Sequence, residues 1–278
     1  MSASLIHISD LHFGKPFRED VGDSVLNHIR DLSPDAVICS GDLVQFAEQE
    51  QCWRDARAWL DQIEMPLLVI PGNHDAIRFR PIARWHKPLR HYFHYIRSER
   101  DSALHLPGVS VVGLGTIRAW TLELGYINDA QLSWLEQEFN KSSADTFRIA
   151  VQHQAAMPLS WFGLLRTHVR GHERAVHAYG RSGVDLILTG HNHFCHEEPI
   201  VRADKAMLWS QVGTTTSNRY PPIYPKHNYF KRYLIEETQF HIENWEYDEH
   251  AQAFSQVKQS TFERTPSAPK SSSQPHAA

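Results

Sequence analysis

Asp10 and His12 stand two residues apart at the end of the apolar run "LIHIS". In a β-strand, residues i and i+2 project to one face, so a carboxylate and an imidazole can approach the same object as the strand runs out. A metal ion suits that pair, although an isolated Asp-x-His is more often a turn cap beside a surface histidine. The rest of the chain decides between the two. "DAVICS" runs into Gly41-Asp42, "PLLVIP" into Gly72-Asn73-His74-Asp75, "FRIAVQ" into His153, and "DLILTG" into Gly190-His191-Asn192-His193. Five strand-like runs therefore deliver Asp, Asn or His at their carboxyl ends, the edge where open α/β sheets bind ligands. The glycines before Asp42, Asn73 and His191 let the backbone turn sharply and bring side chains close. A chance scatter of polar residues would not concentrate seven potential ligands at equivalent strand ends, so Asp10 and His12 read as one corner of a metal cluster.

The elements needed to position such a cluster are legible. Strand patterns also occur at "VSVVGLG", "AMLWSQV", "KRYLIEE" and "FHIENW", and helical patterns span roughly 21–32, 48–63 and 128–139, the last opening on Asn128 as a cap. Alternating strands and helices predict an α/β protein with largely parallel pairing and helices outside. After Val212, short strands and the turn-rich "RYPPIYP" predict an antiparallel edge or second sheet. We expect one domain over 1–260 and a disordered Ser/Pro-rich tail over 261–278.

Composition sets the bounds. With 278 residues, 41% hydrophobic content and 8 Trp, the chain can bury one substantial core. A net charge of -4 gives no overall basic field for nucleic acid or anionic membrane, although local patches are compatible with it. No signal peptide or bilayer-spanning run is evident, and three scattered cysteines (Cys39, Cys52, Cys195) fit a reducing compartment, so a cytoplasmic location is expected.

Taken together, "DLH" at Asp10, "GDLVQ" at Gly41, "GNHD" at Gly72, "QHQ" around His153 and "GHNH" at Gly190 resemble the calcineurin-like metallophosphoesterases, in family order over residues 10–193. "HISDLHFG" and the compact length are most similar to the bacterial class III cyclic-nucleotide phosphodiesterase group. The resemblance implies a four-layer αββα sandwich of two mixed sheets flanked by helices. It also implies two transition-metal ions, Mn or Fe and otherwise Zn or Co, one held by Asp10, His12, Asp42 and His193, the other by Asp42, Asn73, His153 and His191. Asp42 would bridge them. Imidazole and carboxylate donors without thiolates suit those metals. Two ions about 3.5–4 Å apart can share a water, lower its pKa and clamp phosphoryl oxygens during in-line attack by the bridging hydroxide. His74 would contact the phosphate and stabilise or protonate the leaving oxygen, with Asp75 orienting it. Gln45 stands where the family commonly has Asp or Asn, in a supporting position. Gln154 stands where the cyclic-nucleotide group often has a second His, which bears on substrate and not on metals.

The expected activity is hydrolysis of a small phosphodiester, a cyclic nucleotide being one candidate. A phosphomonoesterase, a nuclease or a nucleotide-lipid pyrophosphatase would use the same metals, and a nuclease would want an added basic cap. A non-catalytic scaffold, like the retromer subunit of this fold, is opposed by the full ligand set and His74. No nucleic-acid platform is evident, and the oligomeric state is open, a homodimer included. The His-rich stretch from His86 to His94 could form a third metal patch, but His91 and His94 at helical spacing read better as a solvated or substrate-facing helix side. Cys195 reads as a small buried filler. Specificity is expected from the loops at 76–106 and 157–180.

Overall fold

The computed structural model describes residues 2–121, 123–159 and 168–264. Chain order is β1 (Ala3–Ile8), α1 (Glu19–Leu32), β2 (Ala36–Cys39), α2 (Glu50–Leu60), β3 (Leu67–Val69), α3 (Pro81–His86) and α4 (Arg90–Tyr95). Then follow β4 (Ser102–Leu106), β5 (Val109–Leu114), α5 (Asp129–Asn140), β6 (Phe147–Gln152), α6 (His172–Arg181) and β7 (Leu186–Thr189). The chain closes with β8 (His196–Arg202), β9 (Lys205–Gln211), β10 (Tyr229–Ile235), β11 (Gln239–Asp248) and β12 (Ala253–Glu263). One sheet has the order β12-β11-β10-β1-β2-β3, the other β4-β5-β6-β7-β9-β8.

Four layers follow from the period-two alternation of strands that are apolar on both faces. In β1 and β2, Leu5, Ala36 and Ile38 turn inward to a core shared with Tyr233 of β10 and with Val111, Ile149 and Leu188 of the other sheet. Their neighbours Ile6, Ile8, Val37 and Cys39 turn outward onto Val25 of α1 and Trp53 of α2. The second sheet repeats the pattern: Val112, Ala150 and Ile187 face outward onto Leu135 and Phe139 of α5 and Tyr179 of α6. Each buried Leu, Ile, Val or Phe contributes about 1.5–3 kcal/mol through removal from water. The expected sandwich is therefore the observed one.

Pairing is mixed more evenly than expected. β1-β2-β3 and β5-β6-β7-β9 are parallel, whereas β10, β11 and β12 continue the first sheet antiparallel from β1, and β4 and β8 close the second sheet antiparallel. The parallel strands carry the expected ligands, so their carboxyl ends share one edge. Asn128 caps α5 as predicted, accepting from the Gln131 N–H (2.9 Å), and the Gln131 carboxamide oxygen accepts back from the Asn128 N–H (3.3 Å). Helix α2 begins at Glu50, two residues after the predicted start, because Glu48 spends its carboxylate on the N–H groups of Arg78 (2.6 Å) and Phe79 (2.7 Å). β12 runs past the expected boundary at 261 to Glu263, where it pairs with Gln239. Residues 265–278 of the expected tail, and 160–167 of the expected specificity loop, lie outside the described residues. Among the described residues no helix is long and apolar enough to cross a membrane.

Candidate metal centre

All seven expected ligands meet at the carboxyl edge. Asp10, His12, Asp42 and His193 place donor atoms within 4.8 Å of one another, as do Asp42, His153 and His191. Asp42 belongs to both groups: its Oδ2 lies 3.7 Å from His12 Nε2 and 3.4 Å from His153 Nε2. Asn73 joins the second group, its Oδ1 3.1 Å from His153 Nε2. The Asn73 amide is oriented by donation from Nδ2 to the Glu123 carboxylate (3.1 Å), which turns the oxygen toward the cluster.

Backbone conformation carries a signal that the sequence hides. Asp10, His12, Asp42, His191 and His193 all have positive φ (54°, 52°, 54°, 73° and 60°), the left-handed region that L residues with side chains disfavour. Each such residue costs on the order of 1–3 kcal/mol and persists only where its surroundings dictate it. Those surroundings are specific bonds between loops. The Asp10 Oδ2 accepts from the His191 N–H (2.9 Å), and Asp42 Oδ1 accepts from the His74 N–H (2.8 Å). Glycine is required where two loops touch: a Cβ on Gly72 would fall 2.2 Å from Asp42 Oδ1, and one on Gly190 would fall 1.9 Å from Ser9 Oγ.

The donor chemistry calls for a cation. A carbonyl can only accept, so His153 Nδ1–H donates to Ser40 O (2.8 Å) and His193 Nδ1–H donates to Arg219 O. In the neutral rings both Nε2 lone pairs then face inward. His193 Nε2 lies 3.1 Å from His12 Nε2 and 3.1 Å from Asp10 Oδ1, and that carboxylate oxygen is buried without a hydrogen-bond partner among the described residues. Acceptors facing acceptors in a buried site repel unless positive charge sits between them. Titration is shifted accordingly. Burial holds His12 well below its ordinary value, and burial, helped by His153, lowers His191 to about 3, which keeps both rings in the neutral form that can ligate a metal. Burial opposes charge on Asp10 and Asp42, but the imidazoles of His193 and His153 respectively hold both carboxyls below their usual range. Burial opposes protonation of His153 too, yet Asp42 raises its pKa to about 9. The residues fit two metal ions sharing Asp42.

His74 lies beside the cluster, its ring centroid 4.8 Å from that of His12, and its Nδ1 donates to Gln45 O (2.9 Å). Asp75 does not take the expected place behind it. Its Oδ1 accepts from the N–H groups of Leu43 (2.9 Å) and Val44 (3.1 Å), and its Oδ2 accepts from the Gly72 N–H (2.8 Å). Asp75 thus ties the loop after β2 to the turn after β3, and a carbonyl of residue 45 fixes the His74 ring instead. Burial, reinforced by Asp42, raises its carboxyl to about 8. Gln45 supports the loop as expected, its side-chain oxygen accepting from Arg219 (2.8 Å). Gln154 is buried, accepts from the Thr116 hydroxyl and donates to Glu123 O (3.2 Å). Arg219 and Glu123, which hold ligands in place, carry no sequence motif and were not foreseen. In the His-rich stretch His91 is buried and accepts from Arg90 Nε (3.0 Å) while His94 is exposed. No third metal group forms there among the described residues. Cys195 is only half-buried.

Residues 3–195 match the family described as calcineurin-like phosphoesterase. A glycerophosphodiester phosphodiesterase, GpdQ, of Enterobacter lignolyticus (strain SCF1) is 40% identical over 82 residues, spanning 26% of this chain and only 29% of that protein. Among solved structures, the purple acid phosphatase PPD1 from yellow lupin (Lupinus luteus) seeds superposes with a TM-score of 0.75 at 13% identity, over 95% of this chain and 54% of its own. A dimetal phosphatase from Danio rerio superposes with a TM-score of 0.67 at 13% identity, over 95% and 99%. These two likenesses bear on the fold alone.

Proposed function

The chain belongs to the calcineurin-like phosphoesterase family, and from that premise we propose that it is a hydrolase acting on phosphate esters whose substrate is a small phosphodiester, cleaved at the cluster around Asp42. The observation that carries the site assignment is the single Asp42 oxygen facing both His12 and His153, with lone pairs converging on two positions. Bound metal ions supply Lewis acidity and an activated water. The chain supplies the rest. Asp10, His12, Asp42 and His193 would hold one ion, and Asp42, Asn73, His153 and His191 the other, while the carbonyls of Ser40 and Arg219 fix which nitrogen of His153 and His193 faces inward.

His74 is the group assigned to the phosphate. Its Nδ1–H is committed to Gln45 O, so Nε2 is the nitrogen that meets substrate, and it donates only when the ring carries two protons. Burial lowers the His74 pKa in the free protein, and an anionic phosphoryl group counters that effect. Preference for a diester is supported by the relationship to a glycerophosphodiester phosphodiesterase, and a cyclic nucleotide is a second diester candidate. Manganese or iron is the expected metal, with zinc and cobalt also suited to the donors. The test is steady-state kinetics of metal-reconstituted protein on glycerophosphodiesters, cyclic nucleotides, bis-aryl phosphodiesters and phosphomonoesters. The highest kcat/KM should fall on a diester. A monoester preferred by about tenfold or more, or no turnover by protein carrying two metals per chain, would overturn the reading.

A further inference from the structure

Residues 76–98 carry six Lys and Arg and no Asp or Glu, in a chain whose net charge is -4. This segment contains α3 and α4, and it also exposes three large apolar side chains. Ile82 is 80% exposed, Phe79 67% and Trp85 66%. Beside Ile82 lies an open groove of about 430 Å³, lined by Arg80, Pro81, Ile82, Ala83, His86, Lys87 and Arg90. Its walls are almost wholly apolar, so the basic residues present their aliphatic stems to it and their charges to its rim. The face is held in place: buried Arg84 donates to the carbonyls of Ile77 (2.7 Å) and Ala119 (2.9 Å).

We propose that this face docks on an anionic phospholipid bilayer, with Phe79, Ile82 and Trp85 entering the headgroup boundary and Arg80, Lys87 and Arg90 meeting lipid phosphates. Exposed aromatic and aliphatic side chains ringed by cations have the chemistry of an interfacial anchor. A second copy of the chain fits the face less well, because a two-fold contact would set Arg80, Lys87 and Arg90 against themselves. Single-stranded nucleic acid fits less well too. It binds by stacking on flat aromatic faces, whereas the most exposed residue here is an isoleucine beside an apolar groove. The face borders the metal cluster: Glu123 pairs with Arg78 on one side and accepts from Asn73 on the other. Docking would therefore bring the cluster's edge to the headgroup layer. The inference stands on the face alone and does not require the diester reading.

The full chain should be sedimented with phosphatidylcholine vesicles and with vesicles containing a third phosphatidylglycerol. Partition should be tighter by about tenfold or more on the anionic vesicles at about 0.1 M salt and weaken at about 0.5 M. Lys87→Glu with Arg90→Glu should lose that preference, and Ile82→Ser with Trp85→Ser should weaken partition even at low salt. Both variants should melt like the parent, and turnover of a water-soluble bis-aryl phosphodiester is measured beside partition. Equal partition on both vesicles, or no partition, would overturn the proposal. So would tighter binding to a single-stranded oligonucleotide, a concentration-dependent dimer abolished by Ile82→Ser, or a parallel loss of turnover, which would assign the face to the substrate cleft.

Discussion

Two buried clusters of charge in this molecule are built on opposite principles. Between the sheets, Lys231 Nζ donates to Glu197 Oε1 (2.9 Å) and to Ser210 Oγ (3.1 Å), and Glu197 also accepts from Asn244 (3.2 Å) and Lys258 (2.9 Å). Every charge there is answered from within the chain. At the carboxyl edge, Asp10 Oδ1, Asp42 Oδ2 and the inward nitrogens of His12, His153 and His193 face one another. The difference teaches how to tell a structural ionic network from a binding site. The first pairs donors with acceptors, whereas the second gathers acceptors together in the geometry that holds a cation.

The contrast breaks most visibly at Asp42. Asp42→Ala should lower bound metal below that of Asn73→Ala and cut kcat/KM by about 10³-fold or more, because it opens both coordination groups. Elemental analysis beside initial rates decides it, and equal metal content in the two variants would count against a shared ligand. His74→Ala sharpens the same boundary from the catalytic side. Metal content should stay close to that of the parent while kcat falls by about 10²–10⁴-fold, less for a p-nitrophenolate leaving group than for an alkoxide if proton donation is its role. A kcat loss that merely follows lost metal would make His74 a ligand.

The smallest effect on turnover belongs to the self-neutralised network. Lys231→Met leaves the half-buried Glu197 with only Asn244 and the exposed Lys258 as partners and should cost about 1–3 kcal/mol in denaturant unfolding, with metal content and kcat of the folded protein unchanged. Burial opposes charge on Glu197, but Lys231 lowers its pKa from 4.5 to about 2. A depressed carboxyl stabilises the fold above its unfolded value, so that contribution is full above pH 4.5 and is lost as the pH falls toward about 2. Glu197→Gln should flatten the stability profile across that window. An unchanged acid limb would show that the pair does not govern acid unfolding.

The ligands were legible because chemistry at a strand end leaves few substitutes: each of the seven is an Asp, Asn or His placed just after an apolar run. The central strands were legible for a related reason, being buried on both faces and so continuously apolar. The strands that escaped notice are β4, β8 and β12, and all three are sheet edges. "HEEPIVR" of β8 pairs on one side only, so it tolerates charges and Pro199, and nothing in its pattern announces a strand. Asp75 misled for a different reason. Adjacency to His74 suggested a pair, but the 3₁₀ turn over Asn73–Asp75 swings successive side chains apart and sends its carboxylate to the loop after β2. Arg219 and Glu123 could not be read at all, since their contacts join segments up to 174 residues apart.

The left-handed backbone at five of the ligand residues makes the centre a product of late assembly. None of these residues would adopt such angles in its own strand segment, and the bond from His191 N–H to Asp10 Oδ2 joins the two sheets across 181 residues of chain. Closure of so long a loop has to precede assembly of the full donor set, so capture of two ions would follow docking of the sheets, and their release would be governed by local opening. The His191 amide reports that opening directly. Its hydrogen exchange should slow markedly on metal loading while amides of the inner core, such as those of β6, change little, and matched exchange in both forms would show that the strained loops are held by the sheets alone.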